Sequence, residues 1–214
     1  MLVKNVMTKN PVTITQDKSV PEAKELMKRN HINKLPVVDK SGVLVGIITS
    51  NDLVKASPSD ATTLDMFELS YLLSKMTVEK VMVKKVKTVS PEETVEEAAR
   101  LLDDYNIGCM PVLQGDLVVG IITESDLFRA FIDMFGTRHA GVRATFTMGD
   151  EPGSLSAFTK SLAELGGNIV SLVTAESDEA GKRTVTMRVT GVEKSAFEAL
   201  IKSSGCGLQD LRNV

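Results

Sequence analysis

The chain has 214 residues, 43% of them hydrophobic and 25% charged, proportions of an ordinary globular protein that exclude wholesale disorder and a continuous coiled coil. Its formal net charge is −3, with 25 basic residues interspersed among 28 acidic ones, so no basic patch or tail offers nucleic acid an electrostatic landing site. There is no Trp, and Phe and Tyr number only 7 and 2, which leaves out the stacking platforms of single-strand binders.

The N-terminal segment carries Lys4 and Lys9 where a signal peptide would need an apolar stretch. The strongest apolar run, Val43 to Ile48, is too short to cross a bilayer. These features predict a cytoplasmic protein with no membrane role. Cys109 and Cys206 fall in different parts of the chain without CxxC or Cys/His spacing, a pattern that predicts buried free thiols, with no disulfide framework and no metal site.

An internal repeat organises the first two thirds. Val6-Met7 recurs as Val81-Met82, Ser19-Val-Pro-Glu22 as Thr94-Val-Glu-Glu97, and Leu35-Pro-Val37 as Met110-Pro-Val112, each 75 residues apart. Gly46-Ile-Ile-Thr49-x-x-Asp52-Leu53 then recurs as Gly120-Ile-Ile-Thr123-x-x-Asp126-Leu127 at an offset of 74. One residue is therefore lost in the intervening turn, where a loop tolerates it.

Each copy reads as strand, helix, strand, strand, helix. Ser19-x-x-Glu22 and Thr94-x-x-Glu97 are capping boxes, followed by Val20, Ala23, Met27 and Val95, Ala98, Leu102 at helical spacing. Asp39-Lys-Ser-Gly42 joins two β-branched runs as a hairpin, and Gln114-Gly-Asp116 makes the shorter equivalent. The second helix of each copy opens at Thr49 or Thr123. Between the copies, Leu64, Phe67, Tyr71 and Leu72 predict an extra amphipathic helix whose apolar stripe packs into the core.

Thr49-x-x-Asp52 and Thr123-x-x-Asp126 predict helix N-caps, with the hydroxyl on a first-turn amide and the carboxylate facing the positive end of the helix. The same geometry suits a ligand, because a helix N-terminus attracts anions and a carboxylate beside it can accept both hydroxyls of a ribose.

After Gly136 the pattern changes. Val142, Ala144, Phe146 and Met148 alternate as a half-buried strand, and the turn Gly149 to Ser154 leads into a helix carrying Leu155, Phe158, Leu162 and Leu165 on one face. Gly166-Gly167 ends that helix. Strands follow at Asn168 to Thr174 and around Val185 to Val189, then a helix with Phe197, Leu200 and Ile201, and a last strand near Leu208 to Leu211. The order βαββαβ is that of the ferredoxin-like sandwich.

Two resemblances attach to these motifs. The initial Val-Met, the Pro-containing strand and Gly-apolar-apolar-Thr-x-x-Asp, matched twice in order, resemble the CBS domain over residues 1–60 and 78–135, with a connecting helix at 61–77. Asp150-x-Pro152-Gly153-x-Leu155 with Gly-Gly-Asn168-Ile169 resembles the ACT domain over 139–214. The fold class expected is thus α/β (α+β): a tandem CBS pair followed by a ferredoxin-like ACT domain, an order similar to the acetoin-utilisation AcuB family.

The CBS resemblance implies a regulatory ligand of adenosine type, AMP, ATP or S-adenosylmethionine, in two pseudosymmetric clefts. One would combine Ile121, Thr123, Ser125 and Asp126 with Met7, Val12, Ile32 and Asn33. The other would combine Ile47, Thr49, Asn51 and Asp52 with Met82, Lys87, Ile107 and Gly108. Lys87 departs from the apolar residue expected near the base, which favours the Asp126 cleft. Arg29, His31 and Lys34 lie near the first cleft in sequence as candidates to neutralise phosphates.

The ACT resemblance implies an amino-acid-like effector held by Asp150, Pro152, Gly153, Ser154, Leu155, Asn168 and Ile169 at a domain interface. Together the resemblances imply a homodimer through both domain types, regulation of a metabolic enzyme partner, and no catalytic cofactor. An enzyme would need a nucleophile with its base, a carboxylate pair or a metal cluster. His31 and His139 are the only histidines and are far apart in the chain, and no GxxxxGK[ST] loop is present. A nucleic-acid-binding regulator would need a basic recognition helix, and none is visible.

Overall fold

The computed structural model describes residues 1–56 and 75–214; the amphipathic helix expected around Leu64 to Leu72 lies outside the described residues. The chain divides into two compact units, Met1–Phe128 and Arg129–Val214.

The first unit holds the two repeats. In chain order they are α1 (Val3–Val6), β1 (Thr8–Lys9), β2 (Ile14–Thr15), α2 (Val20–Arg29), β3 (Lys34–Val38), β4 (Leu44–Thr49) and α3 (Ser50–Ala56), then α4 (Val78–Val81), α5 (Val95–Asp104), β5 (Cys109–Gln114), β6 (Leu117–Thr123) and α6 (Glu124–Met134). Each repeat opens on a single helical turn. Val6 and Val81 close those turns, and Met7 and Met82 are their C-caps, with amides bonded back to Val3 and Val78.

The two repeats exchange their opening segments. β1 joins the second repeat's sheet, antiparallel to β6 with Thr8 opposite Ile121 and Lys9 opposite Gly120. In the counterpart, Val83 bridges Ile47 of the first repeat through both backbone bonds, at 3.0 and 2.9 Å. Glycine is required where the segments cross. A Cβ at Gly46 would run into Met82 Sδ, and one at Gly120 into Met7 Sδ. The Val-Met and Gly-apolar-apolar-Thr motifs therefore repeat together because each is the packing partner of the other copy's.

The hairpins form as expected. Asp39 Oδ1 accepts from the Ser41 and Val43 amides at 2.8 and 3.0 Å, and Gly42 takes a positive φ of 83°. The shorter turn pairs Gln114 with Leu117, leaving only Gly115 and Asp116 in the loop.

Of the two capping boxes, one is complete. Ser19 Oγ accepts from the Glu22 amide while Glu22 returns a bond to the Ser19 amide at 2.8 Å. Thr94 caps the Glu97 amide at 3.1 Å, but the Glu97 carboxylate turns to Arg100, so the reciprocal half is missing; an arginine three residues along the helix outcompetes a backbone amide for it. Lys18, the Ser19 amide and the Ser19 hydroxyl hold the Glu22 carboxyl down at about 2. A carboxyl depressed on folding stabilises above its unfolded value of about 4.3, and that contribution disappears as pH falls through the folded value. Urea denaturation of the parent and Glu22→Gln should therefore differ at pH 6 and converge by about pH 2.

The second unit comprises β7 (Val142–Gly149), α7 (Ser154–Glu164), β8 (Asn168–Glu176), β9 (Lys182–Thr190), α8 (Lys194–Ser203) and β10 (Gly207–Asn213). Its antiparallel sheet has the order β10-β7-β9-β8. Val142, Ala144, Phe146 and Met148 of β7 alternate onto one face with Val185, Met187 and Val189 of β9, against Phe158, Leu162, Phe197 and Ile201 of the helices. Leu165, expected on the same helical face, is exposed, because the helix stops at Glu164 and Leu165 is its C-cap.

Candidate functional site

Both Thr-x-x-Asp motifs sit where a β-strand ends and a helix begins. In the first, the Thr49 amide and hydroxyl donate to Asp52 Oδ2 at 2.9 and 2.6 Å, while Thr49 Oγ1 accepts from the Asp52 amide at 3.3 Å. In the second, the Thr123 amide and hydroxyl donate to Asp126 Oδ2 at 2.8 and 2.7 Å. The first-turn amide bond expected of the Thr hydroxyl is seen at Thr49, and in both motifs the Thr amide and hydroxyl bond to the same oxygen of the Asp carboxylate.

The two differ in exposure. Asp52 is half-buried and its Oδ1 accepts no hydrogen bond among the described residues. Asp126 is 1% exposed. The sequence favoured the Asp126 cleft because of Lys87, yet Lys87 is exposed and places its Nζ 3.9 Å from the Tyr105 ring centroid, a cation–π contact of its own.

The other expected residues divide as follows. Met7 lies on Gly120 beside Ile121, and Met82 on Gly46 beside Ile47, so each Asp motif has its cross-repeat methionine within the same crossing. Ile47 and Ile121 meet in one buried cluster with Cys109. Val12 and Ile32 pack, half-buried, against the first repeat's own core, and Ile107 against the second's. Asn33 is tied to its own repeat, with Ser50 Oγ donating to its Oδ1 at 3.2 Å. Asn51 and Ser125 are exposed on the first turns of their helices.

Gly108 faces Glu124 of its own repeat and Lys34 of the other: a Cβ there would lie 3.1 Å from Glu124 Oε2 and 3.7 Å from Lys34 Cε. Of the three cations expected near the phosphates, only Lys34 is at a repeat–repeat crossing. His31 lines a cavity of about 740 Å³ between α2 and α3 with Lys24, Lys28 and Leu53, and Arg29 lies on the far side of α2 beside Glu22 and Glu25. The α-helical period separates them, since Arg29 and His31 leave the helix end in different directions. Glu124, at the unspecified position after Thr123, was not anticipated; Cys109, expected as a buried free thiol, is one, at the strand start equivalent to Lys34. Burial pushes the Cys109 thiol up to about 11, so it stays a neutral, space-filling group. Among the described residues no cluster of three His, Cys, Asp or Glu side chains could hold a metal ion, and no helix is long and apolar enough to cross a membrane.

In the second unit the expected effector residues do not form one site within the chain. Asp150 follows β7 and receives Arg183 Nε at 2.8 Å. Gly153 has φ 94° and caps α7, Ser154 opens that helix, and Leu155 packs on the core. Asn168 and Ile169, both exposed, begin β8 opposite Thr190 and Val189, level with Val142 at the start of β7. Because β8 runs parallel to β7 after a helical crossover, the turn and Asn168 lie at opposite ends of an eight-residue strand. That separation is roughly 24 Å at about 3.4 Å per residue.

Paired repeats with exchanged opening segments, and an Asp at the mouth of a helix in each, define a tandem repeat module followed by a ferredoxin-like sandwich. The chain belongs to the CBS-domain family, whose model matches residues 3–59 and 78–133, and a TTHA0829-like ACT domain model matches residues 140–212; it is a tandem CBS pair with a C-terminal ACT-like domain. The L-aspartate semialdehyde sulfurtransferase of Methanocaldococcus jannaschii is 37% identical over 131 residues, 61% of this chain and 23% of that enzyme, so the chain spans less than a quarter of that relative. The CBS domain pair of protein MJ0100, crystallised with 5′-methylthioadenosine and S-adenosyl-L-methionine, is 35% identical with a TM-score of 0.52, covering 65% of this chain and 98% of that one. An AcuB-like CBS protein from Vibrio cholerae is 31% identical with a TM-score of 0.54, over 64% and 95% of the two chains.

Proposed function

We propose that this chain is a non-catalytic regulatory sensor that binds an adenosine compound in the cleft headed by Asp52, and that the ligand alters how the chain acts on a metabolic enzyme. The observation that carries the reading is the divided use of the Asp52 carboxylate. Oδ2 is spent on the helix cap, which fixes the side chain, while Oδ1 is left to accept a ribose hydroxyl from a group that no longer needs ordering. The adenosine ligands of the MJ0100 CBS pair support the same class of ligand here.

This reading puts Asp52 ahead of Asp126, the reverse of the order expected from sequence. A carboxylate that is 1% exposed has little surface to offer a sugar, so Asp126 serves the fold and Asp52 the ligand. A role in acetoin utilisation and assembly as a homodimer belong to the same reading. The AcuB-like neighbour supports the first. The opposite placement of Asp150 and Asn168 supports the second, since only another chain turned end for end brings such groups together. The reading places the protein in the cytoplasm.

A thermal-shift screen tests the proposal. AMP, ATP, S-adenosylmethionine and 5′-methylthioadenosine bind the folded form only, so at least one should raise Tm by several degrees at about 100 times its Kd. The recovered ligand should be chemically unchanged. No shift with any of the four contradicts the sensor reading, and steady conversion of one of them assigns an enzyme instead.

A further inference from the structure

Arg188 of β9 is the one charged side chain among the described residues that is both buried and without an acidic partner; it is 7% exposed. It lies on the sheet face opposite the helices, since Met187 and Val189 on either side point into the core. Its Nη1 donates to the His139 carbonyl at 2.6 Å, and its Nε is buried with no hydrogen-bond partner. Nη2 likewise makes no hydrogen bond among the described residues.

The neighbours do not compensate the charge. Directly across in register is Arg143, whose guanidinium is engaged by Asp210 at 2.7 Å. On the other side is Ser171, whose hydroxyl donates to the Phe135 carbonyl at 3.0 Å. Two arginines opposite one another in a sheet repel, and a buried guanidinium with a neutral carbonyl as its only acceptor is unfavourable. Folding keeps such a group only if something else is gained.

The pattern of use points to what that is. With Nη1 taken, the parallel N–H pair of Nε and Nη2 remains, and this edge matches the two oxygens of a carboxylate. The segment that covers it, residues 135–140, is held to the sheet by the Ser171–Phe135 and Arg188–His139 bonds. It lies close because residue 136 is Gly: a Cβ there would meet Val170 Cγ1 at 2.5 Å and lie 3.8 Å from Arg188 Cδ.

We propose that the Nε/Nη2 edge of Arg188 is the binding site for the carboxylate of a small organic acid, which enters under the 135–140 segment. A monoanion matches the single uncompensated charge, whereas a phosphate dianion would bring a second charge and further oxygens against the Phe135 and His139 carbonyls. The site uses none of the residues of the nucleotide proposal and stands or falls independently of it.

The test is ¹⁵N NMR of the full chain, following the Arg188 Nε–Hε resonance, assigned by its disappearance in Arg188→Lys. Sodium acetate and glycine are titrated against sodium chloride at constant ionic strength, with phosphate as a separate arm. The expected result is a saturable shift with acetate or glycine and none with chloride. In Arg188→Lys, which keeps the charge but not the fork, the Kd read from Ser171 and His139 amides should be at least tenfold weaker. Selective arginine labelling of the parent gives the same readout should the variant not fold. An Nε resonance unmoved by both carboxylates overturns the proposal, and tighter binding of phosphate than of either carboxylate overturns its ligand class.

Discussion

Asp52→Ala should weaken binding of 5′-methylthioadenosine about tenfold or more, because a hydrogen bond to a charged group contributes roughly 1.5–3 kcal/mol. This ligand carries no phosphate, so loss of a negative charge from the cleft has no compensating electrostatic benefit. The same substitution removes the cap on the Thr49 amide, 2.9 Å from Asp52 Oδ2, at a cost of about 1 kcal/mol to stability. Asp126→Ala separates the two roles. It deletes the equivalent cap at 2.8 Å and vacates a site that is 1% exposed, so it should lower stability at least as much and leave the ligand affinity nearly unchanged. Calorimetry on both variants, with urea denaturation alongside, checks the pair. Equal affinity of Asp52→Ala and parent removes Asp52 from the site; loss confined to Asp126→Ala restores the order read from sequence.

A larger effect on stability is expected at Phe146→Ala. Phe146 is fully buried in the middle of β7, its ring centroid 4.9 Å from that of Phe158, which in turn lies 6.4 Å from Phe197. Removing the ring leaves a cavity between sheet and helices that neither α7 nor α8 can close without dragging the other, and such truncations cost about 3–5 kcal/mol. Since small domains have only about 5–15 kcal/mol in total, the ACT-like unit should melt tens of degrees lower or not fold. The repeats form a separate compact unit, Met1–Phe128, and should still bind 5′-methylthioadenosine. Differential scanning calorimetry should show one early transition and one unchanged; loss of ligand binding in this variant would show that the repeats depend on the ACT-like fold.

The elements were legible wherever a short-range rule governs them. Ser19 and Thr94 mark their helices because caps act within one turn, and Gly42 and Gly115 mark the hairpins because they take positive φ of 83° and 63°. The alternation of Val142 to Met148 identified the core face of β7 for the same reason. What the pattern did not carry was pairing between distant segments. No local pattern set Met7 against Gly120 or Met82 against Gly46, and only the structure shows them as helix C-caps wedged onto glycines of the opposite repeat.

The candidate site was legible in its motif and illegible in its balance. Thr49-x-x-Asp52 and Thr123-x-x-Asp126 are near identical as text, yet the surrounding fold leaves Asp52 half-buried and Asp126 1% exposed. The contact of Lys87 with Tyr105 was illegible, because the two are 18 positions apart and contacts at that distance leave no local trace. Arg188 gave no signal at all. Arginine in an alternating strand normally faces water, and its burial depends on a segment that precedes it by some 50 residues.

Crystals grown with 5′-methylthioadenosine distinguish the readings at atomic level. The nucleoside should lie at the repeat crossing, a ribose hydroxyl within about 3 Å of Asp52 Oδ1. A ligand bound elsewhere, or an Asp52 mouth closed by the neighbouring Lys34, would contradict it.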